Sequence, residues 1–139
     1  MDTYHGTSET NAAVIAAGKV DSTLGGGELG RGFYTGEHLY EAKAWAFHQS
    51  GDKRKNVVLF STPDNKIELL SIKILDICSA SLMRYKIRSK NQTRTFRFNL
   101  DFIWAPIVGS ERASGDQYKW ESSKAEALLN HLKTIRSIL

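Results

Sequence analysis

Hydrophobic and polar positions recur with different periods along the chain, and these periods divide it into elements. Tyr4 to Thr7 reads as a short strand. Ser8-Glu9-Thr10-Asn11 then opens a helix with Ala12 to Ala17 as its body and Gly18 as its end. The segment from Asp21 to Gly32 holds five glycines and is a loop that leads into a strand-like Gly32 to Thr35. Leu39, Ala42, Ala46 and Phe47 fall at helical spacing and predict a helix from Leu39 to Gln49, closed by Ser50-Gly51. Val57 to Thr62 and Ile67 to Ile77 predict strands on either side of a Pro63-Asp64-Asn65 turn. Phe102 to Val108 is apolar enough for a buried strand, and Gln117 to Ser122 alternates Tyr118 and Trp120 against Gln117, Lys119 and Glu121. A last helix is predicted from Ser123 to Leu139, with Ala125, Leu128, Leu129, Leu132, Ile135 and Ile138 on one stripe. Strands and helices in this order predict an α+β fold rather than repeated βαβ units. With 139 residues, a single domain over 1–139 is expected.

Composition changes this picture little. Hydrophobic residues make up 41% and charged residues 24%, which excludes disorder, collagen and coiled coil. The longest apolar run, Phe102 to Val108, has seven residues and contains Pro106, far from the roughly 20 that span a bilayer, so no membrane association is expected. The first ten residues are polar and lack a basic or apolar export region, which predicts a cytoplasmic protein. The lone Cys78 follows Ile74-Leu75-Asp76-Ile77 and reads as a small buried hydrophobe in a reducing compartment.

Charge adds more. The formal net charge is +4, but its distribution is uneven. No acidic residue occurs between Asp76 and Asp101, while Arg84, Lys86, Arg88, Lys90, Arg94 and Arg97 supply six positive charges there. If Arg84 to Lys90 is extended, its four basic side chains project from one face. Interleaved with Tyr85, Phe96 and Phe98, such a ribbon suits phosphate contact and base stacking, or else is a solvated strand edge guarded by charge.

Several chemistries are excluded. Gly25-Gly26-Gly27-Glu28-Leu29-Gly30 satisfies G-x-G-x-x-G, yet no clear strand precedes it and a strand rather than a helix follows, so dinucleotide-fold context is missing. His38, His48 and His131 lack partners at metal-ligand spacing, so no metal is expected. There is no G-x-S-x-G and no Cys–His nucleophile pair.

Three segments carry the chemistry: Tyr4-His5-Gly6-Thr7; Gly30-Arg31-Gly32-Phe33-Tyr34-Thr35 followed by Ala42-Lys43-Ala44-Trp45-Ala46; and Asp116-Gln117-Tyr118-Lys119-Trp120. In this order they resemble the ADP-ribosyltransferase superfamily, in its diphtheria-toxin and poly(ADP-ribose) polymerase branch. The resemblance is nearest to small bacterial members with Y-H-G-[ST], G-x-G-F-Y and a late Q-Y strand. It runs from Tyr4 to about Leu132 and implies two packed, mainly antiparallel sheets with flanking helices. Phe102 to Gly109 also resembles a family strand, although the acidic pair that follows it there is replaced by Ser110-Glu111.

The resemblance implies NAD as co-substrate. Gly6 would pair with the nicotinamide carboxamide through its backbone, and His5 would bind the adenosine-side ribose. Tyr34 and Trp45, eleven positions apart, would enclose the nicotinamide ring, with Thr7 or Ser8 near the ribose or phosphates. Polymerising relatives have a glutamate where Gln117 stands. A neutral amide can position the ribose without adding negative charge, which implies mono-transfer rather than chain building. Glu121 is the reserve carboxylate, about 13 Å along an extended strand at ~3.3 Å per residue, and Glu111 a further one.

The expected function is therefore NAD-dependent mono-ADP-ribosyl transfer to a protein or nucleic acid, with Arg84, Lys86, Arg88, Lys90, Arg94 and Arg97 contacting the acceptor. A bacterial or phage toxin or effector with an antitoxin or immunity partner fits this size. The alternatives are a non-catalytic NAD- or ADP-ribose-binding module and an NAD glycohydrolase.

Overall fold

The computed structural model describes residues 1–111 and 113–139. Its elements are β1 (Asp2–Gly6), α1 (Glu9–Ala16), β2 (Phe33–Gly36), α2 (Leu39–Ser50), β3 (Val57–Ser61), α3 (Asp64–Ile67), β4 (Ile72–Ile74), α4 (Ile77–Ser89), β5 (Phe102–Pro106), β6 (Asp116–Trp120), α5 (Ser123–Asn130) and β7 (Ile135–Ile138). This is the α+β class expected. The strands join in one mixed sheet, in the order β4-β5-β6-β2-β1-β3-β7, where two packed sheets had been anticipated.

The chain divides into two compact units. The first comprises Met1–Val20, Thr35–Leu69 and Ala127–Leu139; the second comprises Asp21–Tyr34 and Leu70–Glu126. In the first, β3 is the central strand, antiparallel to β1 on one side (Tyr4 opposite Leu59) and to β7 on the other (Leu59 opposite Ser137). Its core combines Ala12 and Ile15 of α1, Ala42 and Ala46 of α2, and Val57, Val58 and Phe60 of β3. Helix α1 starts where expected because Ser8 Oγ accepts from Asn11 N at 3.1 Å, satisfying an otherwise orphaned donor. Helix α2 ends at Gly51, whose φ of 77° lets its N–H close back on Phe47 O.

In the second unit β5 lies parallel to β4 and antiparallel to β6. Phe102 stacks on Tyr118 at 5.8 Å and meets Trp120 edge-on at 4.7 Å. Leu29, Leu75, Ala80, Ile103 and Ala105 form a buried cluster, with Met83, Phe98, Leu100 and Val108 against it.

Four expectations change. The strand expected from Ile67 to Ile77 is confined to β4, Ile72–Ile74, because the chain after Pro63 winds into α3 and α4 begins at Ile77. Arg84 to Lys90 is not extended. It lies in α4, which Asp76 caps by accepting from Ser79 N at 2.7 Å and which buries Ala80 and Ile87, seven residues or two turns apart. Alternating charges imitated a strand, but the apolar positions follow the helical period. At ~100° per residue, Arg84 and Arg88 share a face while Lys86 points about 200° away, so there is no single basic ribbon. The C-terminal helix also stops at Asn130, and Ile135 and Ile138, expected on its stripe, belong to β7. Thr134 is buried and its Oγ1 donates to Leu128 O at 2.7 Å, turning the chain before β7. Cys78, expected inside, is exposed on the first turn of α4.

Candidate functional site

The first unit carries His5, Gly6, Thr7 and Trp45. His5 and Gly6 are half-buried on β1, opposite Val58 and Val57, and Thr7 N donates to Asn56 O at 2.8 Å. Gly6 is fixed by close approach: a Cβ there would lie 2.1 Å from Ala42 O on α2. Only glycine lets the helix backbone rest on the strand at this point. Ser8 Oγ is committed as an acceptor to the α1 cap. Trp45 projects from α2 with 59% of its surface exposed, so its ring is open to a stacking partner.

The second unit carries Tyr34, Gln117 and Glu121. The Tyr34 hydroxyl donates to Gly30 O at 2.5 Å and accepts from Leu29 N at 3.1 Å, so the phenol pins its own loop. Burial pushes its pKa well above the ordinary tyrosine value, with Glu28 and Glu121 adding to the rise and the Leu29 N–H opposing it. Gly27 lies against the ring, where a Cβ would come within 2.9 Å of Cζ. Gly30 adopts a φ of +90°, and a side chain there would meet Phe96 O. The glycine run is thus a tightly packed loop followed by a strand.

Glu121 is the predicted reserve carboxylate, and its oxygens are already engaged. Oε1 accepts from Lys119 Nζ at 2.6 Å and Phe98 N at 2.7 Å, and Oε2 from Leu100 N at 3.1 Å. Lys119 also donates to Leu29 O at 2.7 Å and lies 5.0 Å from the centre of the Phe98 ring. Burial lowers the Lys119 pKa, and the Glu121 carboxylate works against that shift. This pair locks the strand to its neighbours. Glu111 is exposed on the loop after β5.

Gln117 is buried and sits beside a residue that sequence reasoning passed over. Its Nε2 donates to Glu28 Oε1 at 3.3 Å and to Pro106 O at 3.2 Å. Glu28 Oε1 also accepts from Val108 N at 3.0 Å, and Gly109 N spans both carboxylate oxygens. The available signal was a lone acid inside the glycine loop, two residues before Gly30-Arg31-Gly32-Phe33-Tyr34.

Of the basic residues, Arg84, Lys86 and Arg88 lie on α4 and Lys90 caps its end. Arg94 and Arg97 follow in the connection to β5, and Arg94 Nη2 donates to Leu24 O at 2.6 Å. Among the described residues, no cluster of three or more His, Cys, Asp or Glu is arranged to hold a metal, and no helix is long and apolar enough to cross a membrane. No protein-family model matches the chain, and no curated protein matches it either.

Proposed function

We propose that the protein is an NAD-dependent mono-ADP-ribosyltransferase of the diphtheria-toxin and poly(ADP-ribose) polymerase type. The observation that carries this reading lies within the second unit: β2, with Tyr34, is the neighbour of β6, with Gln117. These two motif-bearing strands are far apart in sequence, so their adjacency is independent of the motif spellings that suggested the family.

In the reaction, the bond between ribose C1 and the nicotinamide nitrogen breaks and nicotinamide leaves with the bonding pair. The acceptor's nucleophile then bonds to C1 and loses its proton. The transition state carries positive charge on the ribose, so polar groups that meet the ribose there are the ones that accelerate the reaction. In the first unit, His5 binds ribose, the Gly6 backbone holds the carboxamide, Thr7 lies near the ribose or phosphates and Trp45 stacks on nicotinamide. In the second, Tyr34 lines the ring and Gln117 accepts from a ribose hydroxyl. Arg84, Lys86, Arg88, Lys90, Arg94 and Arg97 serve the acceptor, a protein or nucleic acid, as phosphate or carboxylate contacts. The setting is cytoplasmic, with the protein acting as a toxin or effector held by an antitoxin or immunity partner.

A second reading is favoured by one observation: Glu121, the reserve carboxylate, is locked to Lys119 and so does not take a glutamate's place beside Gln117. In that reading the chain binds NAD or ADP-ribose without turnover. Incubation with NAD labelled in its adenylate half, alongside separate protein, DNA and RNA pools, decides between them. Nicotinamide release with label on one pool supports transfer, and free ADP-ribose alone indicates a glycohydrolase. Binding without release leaves the module, and neither binding nor release ends the NAD reading.

A further inference from the structure

We propose that Glu28 supplies the carboxylate that Gln117 lacks, acting as a positioning residue through the Gln117 side chain. This rests on the transferase reading above. Both neighbours of Gln117 Nε2, the Glu28 carboxylate and the Pro106 carbonyl, are acceptors only, so they must face the NH2 group. Both N–H bonds are thereby directed, and Oε1 is left on the opposite side as an acceptor. An amide that is otherwise free to flip is held in the one orientation able to accept from a ribose hydroxyl.

Charge adds a second effect. An ionised Glu28 polarises the amide to which it is bonded, making Gln117 Oε1 a stronger acceptor than an isolated amide oxygen. It also brings a negative charge to within one residue's reach of the position that polymerising relatives fill with glutamate. The carboxylate itself is anchored by backbone donors, Val108 N and Gly109 N at 3.0 Å each, so it does not depend on Gln117 for its place. The pair thus divides one glutamate's role: Glu28 holds the charge and Gln117 makes the contact.

The test is a double-mutant cycle read by nicotinamide release, with thermal unfolding recorded for each variant. Glu28→Gln is expected to lower kcat by roughly 10- to 100-fold with little change in KM for NAD. In a Gln117→Ala background the same change should cost less than about 2-fold, because the group through which Glu28 acts is gone. An equal loss in both backgrounds, as expected if Glu28 merely supports the Val108–Gly109 backbone, overturns the proposal. So does full activity of Glu28→Gln.

Gln117→Glu provides a readout that leaves Glu28 and its backbone donors untouched. Two carboxyls at this separation share a proton, so the variant should work while that proton is held and lose kcat as pH rises and it leaves. A Gln117→Glu enzyme faster than the parent at every pH would overturn the inference. A parent protein that releases no nicotinamide refutes the transferase reading itself, and this outcome is distinct from an active parent that is insensitive to Glu28.

Discussion

Lys119 Nζ lies 2.6 Å from Glu121 Oε1, the lysine side chain wholly buried and the glutamate only 2% exposed. A pair this deep is costly to break from one side, because the remaining charge stays in a poorly solvated place. Glu121→Gln should lower unfolding free energy by about 3–5 kcal/mol in chemical denaturation. Replacing both partners, Lys119→Met with Glu121→Leu, should cost less than the single change. Unaltered stability of Glu121→Gln would show that the pair contributes nothing.

Tyr34 connects the same unit to its glycine loop through its hydroxyl. Tyr34→Phe removes the partner of both Leu29 N and Gly30 O, which should cost about 1–3 kcal/mol. Amide exchange at Leu29 should accelerate in parallel. An unchanged exchange rate would mean that the phenol does not hold the loop.

Trp45 provides the opposite case. Its exposure predicts that Trp45→Ala shifts stability by no more than about 0.5 kcal/mol. Loss of ring stacking, on the order of 1 kcal/mol, should weaken NAD binding about 5-fold by calorimetry. Equal affinity in parent and variant would remove Trp45 from the site.

Gly6→Ala drives a methyl into the Ala42 carbonyl, 2.1 Å from its oxygen. Strand and helix must separate, at a cost of about 1–3 kcal/mol. A melting temperature equal to that of the parent would contradict the packing described. Restoring room elsewhere on α2 cannot rescue it, since the obstructing atom is backbone.

Asp101 supplies a pH dependence. Burial disfavours its charged form, but hydrogen bonds from Ser122 Oγ at 2.6 Å and Ser71 N at 2.7 Å outweigh that and hold its pKa below 3.8. Because the folded value lies below the unfolded one, this stabilisation is present above pH 3.8 and is lost as pH falls through the folded value. Asp101→Asn should therefore be less stable than the parent at pH 6, with the difference narrowing on acidification. A constant gap across that range would argue against the carboxylate's role.

The sequence made β1, β2, β3, β5, β6, α1 and α2 legible to within a residue or two, because caps, glycines and apolar period agreed there. It misled at Arg84 to Lys90, where charges two apart suggested a strand although Ala80 and Ile87 carried a helical period. It misled again at Ile135 and Ile138, three residues apart and equally at home on a helix stripe. Partners distant in sequence were the hidden part. Nothing local announces that Glu28 reaches Gln117, 89 positions away, or that Glu121 is taken up by Lys119 and the Phe98 and Leu100 amides.

The pairing of β7 with β3 sets the order in which the chain can be completed. Val58 meets Ile138 across the ladder, so the edge of β3 facing β7 waits through the synthesis of nearly the whole intervening chain. Until residues 135–138 leave the ribosome, that edge exposes unpaired backbone groups and invites chaperones or a neighbouring nascent strand. Ribosome-bound chains halted before Ile135 should thus be more protease-sensitive across β3 than chains halted after release of β7.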